Sequence, residues 1–288
     1  METDKLLDPR TIPGYRWLSN GQSLFSGELL NLYNKLDNMF VQWAKEVEAK
    51  PYHFPTFISA SDLNKLDYFR SFPHLVTIPV VLDNDPDKLK NFIAGTPVDA
   101  EGNIKLGELA ATQNVLTPAA CYHIYVELEK ELAGKSLETA RYITTKNTCF
   151  RREIEYVPLQ RQWSFSMREI VCIGTANEVK DFLSGFQEKL TEFFKEIKLP
   201  IQWQNATDPF FNPKTNPKYL MQKLEPVKTE MIFKNHLAIG SINFHRNYFG
   251  EAFHINRAGE EAFSGCVAFG IERWLYTYLS QFGLSGAP

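Results

Sequence analysis

The sequence predicts an α+β protein: a mostly antiparallel sheet flanked by helices. Three observations carry this. A long amphipathic helix stands near the N-terminus. From about residue 140 onward, strand-like runs follow one another instead of alternating with helices in βαβ units. No Gly-rich turn joins a first strand to a helix, as a dinucleotide-binding sheet would need.

In SGELLNLYNKLDNMFVQWAKEVEAKP, Leu29, Tyr33, Leu36, Phe40, Trp43 and Val47 recur at three- and four-residue steps and form one apolar stripe. Pro51 is expected to stop this helix, since proline cannot continue a helix interior. The stretch 52–83 mixes short β-type runs with turns, and Pro55 interrupts the first of them. Asp85-Pro86 is an N-cap followed by proline in the first helical position, opening a short helix through Phe92 and Ile93. Residues 95–113 are polar and contain glycine, a surface excursion with room for a small hairpin. Thr117-Pro118 repeats the cap-and-proline signal and predicts a helix ending near Ala133-Gly134.

ARYITTKNTCFRREIEYVP and RQWSFSMREIVCIGTA are β-type runs around a turn at Pro158, Leu159 and Gln160, and read as an antiparallel pair. Asn177 to Leu199 is a second amphipathic helix, with Val179, Phe182, Phe186, Leu190, Phe193 and Ile197 on one face and Pro200 closing it. IQWQ is a strand, NATDPFFNPKTNPKY a loop, and KTEMIF and HLAIGSINF two further strands. The last unit, GCVAFGIERWLYTYLSQFG, runs from strand into helix.

Composition narrows the function. The 288 residues carry 31 Lys+Arg against 34 Asp+Glu, a formal charge of −3. That balance disfavours a dedicated polynucleotide binder, whose pI usually exceeds about 9. The length suits one large domain over residues 1–288, with the excursion near 95–113 as a small insertion. Cys121, Cys149, Cys172 and Cys266 are too few and too scattered for a disulfide framework. The charged start METDKLLDPR lacks the apolar core of a signal peptide, and no run of about 18 apolar residues marks a membrane span. A cytoplasmic protein without membrane association is expected.

The segment CFRREIEYVPLQRQWSFSMREIVCIGT is the most informative. Read as a strand, it puts Arg151 and Glu153 on one face, because side chains alternate with a period of two. On spacing alone, a same-face ion pair is the commoner meaning of such residues. The segment resembles motif 2 of the class II aminoacyl-tRNA synthetases: Phe150-Arg151-Arg152-Glu153, a loop, then Arg161, Phe165 and Glu169 at four-residue steps. Gly270-Ile271-Glu272-Arg273, entering a helix about 120 residues later, resembles motif 3. Pro55 takes the place of the motif 1 proline. A class II synthetase-like catalytic core is therefore expected.

The resemblance implies ATP and Mg²⁺. Arg151 would hold the α-phosphate and Arg273 the far phosphates, as the two catalytic residues, because a guanidinium is a planar, permanent charge matched to phosphate oxygens. Arg161 would reach the terminal phosphates, Phe165 would stack on adenine and Glu153 would accept from its amino group. The contexts TPAACYHIY, FSMREIVCIG and SGCVAFG are similar to one branch of class II, the methanogenic-type seryl-tRNA synthetases and the amino acid:[carrier protein] ligases. In that branch Cys121, Glu169 and Cys266 would bind one Zn²⁺, leaving a position open for the substrate's amino group. Spacings of 48 and 97 residues would not by themselves indicate a metal, and buried, packed thiols are the plainer meaning. Cys149 and Cys172 match no ligand position and are read as core thiols.

Asp208, in DPFF, is a candidate for the substrate's amino group or for steadying a motif 2 arginine, and equally an Asp-Pro turn starter. His245 and Asn247, in NFHRNYFGEAFHI, are candidates to line the amino-acid pocket, although a hydrogen-bonded structural histidine is commoner. Trp163 and Trp274 are read as packing residues. The resemblance implies activation of a small amino acid, glycine or alanine, as its adenylate, then transfer to the phosphopantetheine thiol of a carrier protein. It also implies a homodimer. With class II motifs starting within the first ~60 residues and a charge of −3, tRNA is the less favoured acceptor. Transfer to tRNA or another acceptor, or a non-catalytic paralogue binding nucleotide or amino acid, are the alternatives. No Ser-His-Asp or Cys-His arrangement is expected, since an adenylate is already activated.

Overall fold

The computed structural model describes residues 7–95, 97–104, 107 and 109–286. Thr96, Lys105, Leu106 and Glu108 of the 95–113 excursion lie outside the described residues; within it, Val98 and Ile104 form an isolated antiparallel bridge.

A hairpin of β1 (Tyr15–Leu18) and β2 (Gln22–Phe25) leads into α1 (Gly27–Glu46). α1 buries Leu29, Leu32, Leu36, Phe40 and Trp43, so the apolar stripe faces the core. It ends at Glu46, before Pro51, which lies in β3 (Lys50–Tyr52); proline is tolerated there because β3 is an edge strand. β4 (Phe57–Ser59), α2 (Ala60–Lys65) and α3 (Tyr68–Ser71) follow. α4 (Pro86–Ala94) starts as predicted, the Asp85 carboxylate accepting from the Asp87 and Lys88 N–H groups at 3.0 and 3.1 Å.

After β5 (Asn114–Leu116), Thr117-Pro118 does not open the expected helix. Thr117 is drawn into cross-chain pairing: its N–H donates to the Thr56 carbonyl and its own carbonyl accepts from Phe150, each at 2.8 Å. α5 (Tyr122–Leu132) begins later, with Cys121 in the N-cap position.

β6 (Arg141–Phe150) and β7 (Ser164–Gly174) are an antiparallel pair, joined by the 13 residues 151–163 rather than by a tight turn. Arg151 and Glu153 therefore lie beyond the end of β6, and the one-face placement of the sequence reading does not hold. α6 (Ala176–Glu196) opens with a capping box between Thr175 and Glu178. β8 (Ile201–Ala206) precedes α7 (Pro217–Leu224), which occupies part of the stretch read as loop. Its signal was present: Asn216 caps the Lys218 N–H at 2.9 Å and Pro217 takes the first helical position.

β9 (Lys228–Phe233), β10 (Leu237–Arg246), α8 (Tyr248–Ala252), the short pair β11 (Asn256–Arg257) and β12 (Glu260–Glu261), β13 (Phe263–Gly270) and α9 (Ile271–Phe282) complete the chain. The central sheet runs β3-β6-β7-β13-β10-β9-β8, antiparallel throughout except between β3 and β6.

Alternation along the strands splits the core in two. Ile170, Cys172, Val267 and Phe269 point to the side covered by α1, α6 and α9, where Trp274 is fully buried. Val171, Ile173, Cys266 and Ala268 point to the other side, toward α5 and α8. α6 sits close on the sheet because Gly265 has no side chain: a Cβ there would stand 2.8 Å from Val179 and 2.9 Å from Leu183. Cys149 and Cys172 are buried.

Candidate active site

A cavity of about 490 Å³ opens on the sheet face away from α1, α6 and α9. Strands β7, β10 and β13 form its floor, with walls from α3, the 151–163 loop, the loop before α7, and α7. Arg151, Glu153, Arg161, Phe165, Glu169, Cys121, Cys266, Asp208, His245 and Arg273 all line it. Asn247 does not; it takes the N-cap position of α8.

One end is cationic and aromatic. Arg151 donates Nε to the Pro118 carbonyl at 2.9 Å, and its guanidinium lies 5.2 Å from the Phe165 ring centroid. Arg273 donates Nε to the Gln160 carbonyl at 2.7 Å and Nη1 to the Ala238 carbonyl at 2.8 Å. Both guanidinium groups are thus held by backbone acceptors, and among the described residues neither forms a direct ion pair with a carboxylate, although Glu230 and Glu153 act on Arg273 and Glu169 on Arg151 through space. Burial and the charge of Arg151 lower the pKa of Arg273. Two such charges in a partly apolar cavity make a receptor for a polyanion. Gly240 lines the wall beside Arg273; a Cβ there would lie 2.4 Å from the Ala268 carbonyl oxygen.

The other end gathers sulfur, carboxylate and imidazole. Sequence separation is bridged by the sheet: Ala268 on β13 sits opposite Glu169 on β7, and Cys266 is two residues along on the same face. Cys121 arrives from the start of α5, held nearby where the Ala120 N–H donates to Glu169 at 3.1 Å. The Cys121 and Cys266 thiols hydrogen-bond each other, and Glu169 interacts with both. Cys266 Sγ also accepts from Asn243 Nδ2 at 3.3 Å and lies 3.5 Å from His245 Nε2, a Cys-His pair that the sequence did not lead us to expect, because it is made by the pairing of β10 with β13. That hydrogen bonding with Cys121 and the other donors holds Cys266 low and pushes Cys121 up. Burial raises Glu169 to about 8. His245 is raised, burial being outweighed by the charge and hydrogen bond of Cys266. Its Nδ1 lies 3.1 Å from the Tyr125 hydroxyl and 3.2 Å from the Ser264 hydroxyl.

No group of three or more His, Cys, Asp and Glu side chains among the described residues is arranged to hold a metal ion as it stands. The donor chemistry nevertheless fits zinc: two thiols and a carboxylate in mutual contact, buried, on the wall of a cavity.

Asp208 is the acidic group of a third cluster. Its Oδ2 accepts from Gln222 Nε2 at 3.0 Å, Gln222 returns an acceptor to the Asp208 N–H at 2.9 Å, and Lys228 stands 3.3 Å from Oδ1. Burial would raise Asp208, but Lys228 and the Gln222 bond bring it below the ordinary value. These contacts, with Lys218 bonded to Asp67 at 3.1 Å, hold α7 over the cavity, since α7 buries none of its own residues. Lys218, Gln222 and Lys228 escaped the sequence reading, and Glu272 was named there in motif 3 without a role of its own. Glu272 had a signal in its place beside Arg273; the other three had none, because their partners depend on where α7 lies. No helix among the described residues is long and apolar enough to cross a membrane.

Comparison with known proteins accords with this geometry. Residues 109–282 match the family model of the tRNA synthetase class II core domain (G, H, P, S and T). Amino acid–[acyl-carrier-protein] ligase 1 of Bradyrhizobium diazoefficiens is 32% identical over 235 residues, 80% of this chain and 70% of the relative. The type-2 serine–tRNA ligase of Methanocaldococcus jannaschii is 26% identical over 285 residues, 92% of this chain but 53% of that enzyme. Among solved structures, M. kandleri SerRS, in complex with A. aeolicus tRNASec, superposes with a TM-score of 0.78 at 19% identity; it covers 96% of this chain, which spans 56% of that one. The chain belongs to the class II aminoacyl-tRNA synthetase core-domain family.

Proposed function

We propose that this protein activates a small amino acid with ATP and passes it to the phosphopantetheine thiol of a carrier protein. The observation that carries the reading is one cavity with Arg151, Phe165 and Arg273 at one end and Cys121, Glu169, Cys266 and His245 at the other. In the first step an amino-acid carboxylate oxygen attacks the α-phosphorus of ATP, forming the mixed anhydride and releasing pyrophosphate. In the second, the thiol sulfur attacks the acyl carbon, its proton is lost to solvent and AMP leaves.

Each residue has a physical task. Arg151 neutralises charge on the α-phosphate as the transition state forms, which is where fixed cations contribute most. Arg273 and Arg161 take the β- and γ-phosphates, where Mg²⁺ arriving with ATP would add positive charge against the leaving pyrophosphate. Phe165 offers its face to adenine and Glu153 an acceptor to the adenine amino group. Zinc held by Cys121, Glu169 and Cys266 would supply a Lewis-acidic position for the substrate amine. Asp208, fixed by Gln222 and Lys228, presents negative charge to the same amine. Zinc holding the amine would leave only a short pocket for the side chain, which favours glycine or alanine. The 32% identity to a carrier-protein ligase supports that acceptor over tRNA. A homodimer through α1 and the β3 edge belongs to the same reading, and light scattering checks it.

Pyrophosphate exchange across the amino acids, followed by transfer assays with holo-carrier protein and with tRNA, tests this. Exchange with a small amino acid and acylation of the carrier protein are expected. Absence of exchange with every amino acid overturns the enzyme reading, and charging of tRNA alone overturns the acceptor. Cys121→Ala and Cys266→Ala should each lose bound zinc and amino-acid activation together; retention of both would make these thiols packing residues.

A further inference from the structure

The strand that carries Phe165 outlasts its neighbour. β13 ends at Gly270, paired with Met167 of β7, and the chain then turns into α9. The next N–H along β7 on that side, that of Ser166, has no strand to bond. Glu272, the second residue of α9 and 6% exposed, supplies the acceptor: both carboxylate oxygens lie 2.9 Å from the Ser166 nitrogen. Ser166 is flanked by Phe165 and Met167, whose side chains line the large cavity. Glu272 is followed directly by Arg273, whose guanidinium is tied to the 151–163 loop and to β10.

A second, polar cavity of about 250 Å³ adjoins this point, lined among others by Ser23, Tyr33, Thr148 and Ser166. Phe165, Gln162 and Glu272 line both cavities and so form the partition between them. β6 still holds the far edge of this strand end, Cys149 standing opposite Phe165, so the open space next to Phe165 gives room to move only on the edge that β13 has left. A single carboxylate closes the gap left where β13 ends.

We propose that Glu272 is a positioning residue for the nucleotide site: by accepting the Ser166 N–H in place of the missing strand, it fixes the Phe165 ring relative to Arg273. This rests on the ATP-dependent reading above. Without that bond the Phe165 strand end relaxes toward the polar cavity, and the adenine face and the phosphate cation lose their register. The amino-acid end, built on Glu169 and Cys266 further along the same strands, keeps its geometry.

The test is steady-state pyrophosphate exchange on Glu272→Ala, Glu272→Asp and Glu272→Gln, varying ATP and amino acid separately. Ala removes the acceptor and Asp withdraws it by one methylene, so both should raise KM for ATP by about ten-fold or more, with KM for the amino acid within about two-fold. Gln keeps a carbonyl oxygen at the same reach and should return KM for ATP to within about three-fold of wild type. Asp and Gln keep the test open if Ala fails to fold. A merely structural role would lower kcat and melting temperature with both KM values unchanged or moving together, and that pattern overturns the proposal. So does an unaltered KM for ATP in the Asp variant. If the wild-type protein exchanges nothing, calorimetric titration with a non-hydrolysable ATP analogue takes the place of KM in the same comparison. A wild-type protein that fails to bind the analogue overturns this proposal along with the functional reading.

Discussion

Asp37→Ala tests the joint between α1 and the motif 2 strand. Asp37 is the buried charge in the apolar stripe of α1, and it meets Arg168 of β7 in a two-pronged pair, Nε to Oδ1 at 2.8 Å and Nη2 to Oδ2 at 3.0 Å. Lys146 adds a third contact at 2.8 Å, but its side chain is over a third exposed and can return to water. Arg168 cannot: it is 8% exposed and keeps only a 3.5 Å contact to Thr144 Oγ1 when the carboxylate goes. Stranding one partner of a buried pair costs about 3–5 kcal/mol, whereas replacing both with apolar side chains is often near neutral. At roughly 2 °C per kcal/mol for a chain this long, Tm should fall by about 6–10 °C. Asp37→Leu combined with Arg168→Met should recover most of that loss.

The pH dependence follows with a definite sign. Burial alone would raise Asp37, but the bonds to Arg168 and Lys146 bring it below the usual carboxylate value. A depressed folded pKa contributes stability that is complete above the unfolded value of about 3.9 and disappears as pH falls through the folded value. Tm curves of wild type and Asp37→Ala should therefore be parallel near neutrality and converge below about pH 4. Differential scanning calorimetry from pH 3 to pH 8 reads both effects. A drop under about 1 kcal/mol at neutral pH, or a double variant no more stable than Asp37→Ala, would refute the reasoning.

Two further outcomes follow from the packing. Phe165→Ala removes a stacking face of the kind worth about 1–3 kcal/mol per base, so KM for ATP should rise roughly 5- to 150-fold with the amino-acid KM little changed; equal changes in both would argue against an adenine contact. Gly265→Ala forces a methyl group to within 2.8–2.9 Å of Val179, Leu183 and the Asn243 carbonyl, and overpacking of that kind costs about 1–3 kcal/mol. Urea unfolding should show the loss with an unchanged m-value; wild-type stability would mean that α6 shifts freely on the sheet.

Much of the fold was legible because it is written in local periods. The stripe of α1, the Asp85 cap and the face of α6 each depend on residues within a few positions of one another, which is the range over which helix geometry acts. The misplacements share a cause in longer-range competition. Thr117-Pro118 carries a valid helix-start signal, but its backbone is committed to Thr56 and Phe150, and α5 waits until Tyr122. The 151–163 loop holds residues of strand-like composition whose neighbours on the sheet have already ended.

The sequence by itself determined the two class II motif segments, because Phe150 to Glu153 and Gly270 to Arg273 each carry their signature within four adjacent residues. Only the tertiary structure decided the rest. Cys121, Glu169 and Cys266 stand 48 and 97 residues apart, and they meet because β7 pairs with β13 and α5 begins against Glu169. Asp208 owes its partners to the docking of α7, and Glu272 its task to the residue at which β13 stops. Strand pairing and helix docking join positions that no local spacing relates, so a convergent site of this kind is decided by the packing of the sheet.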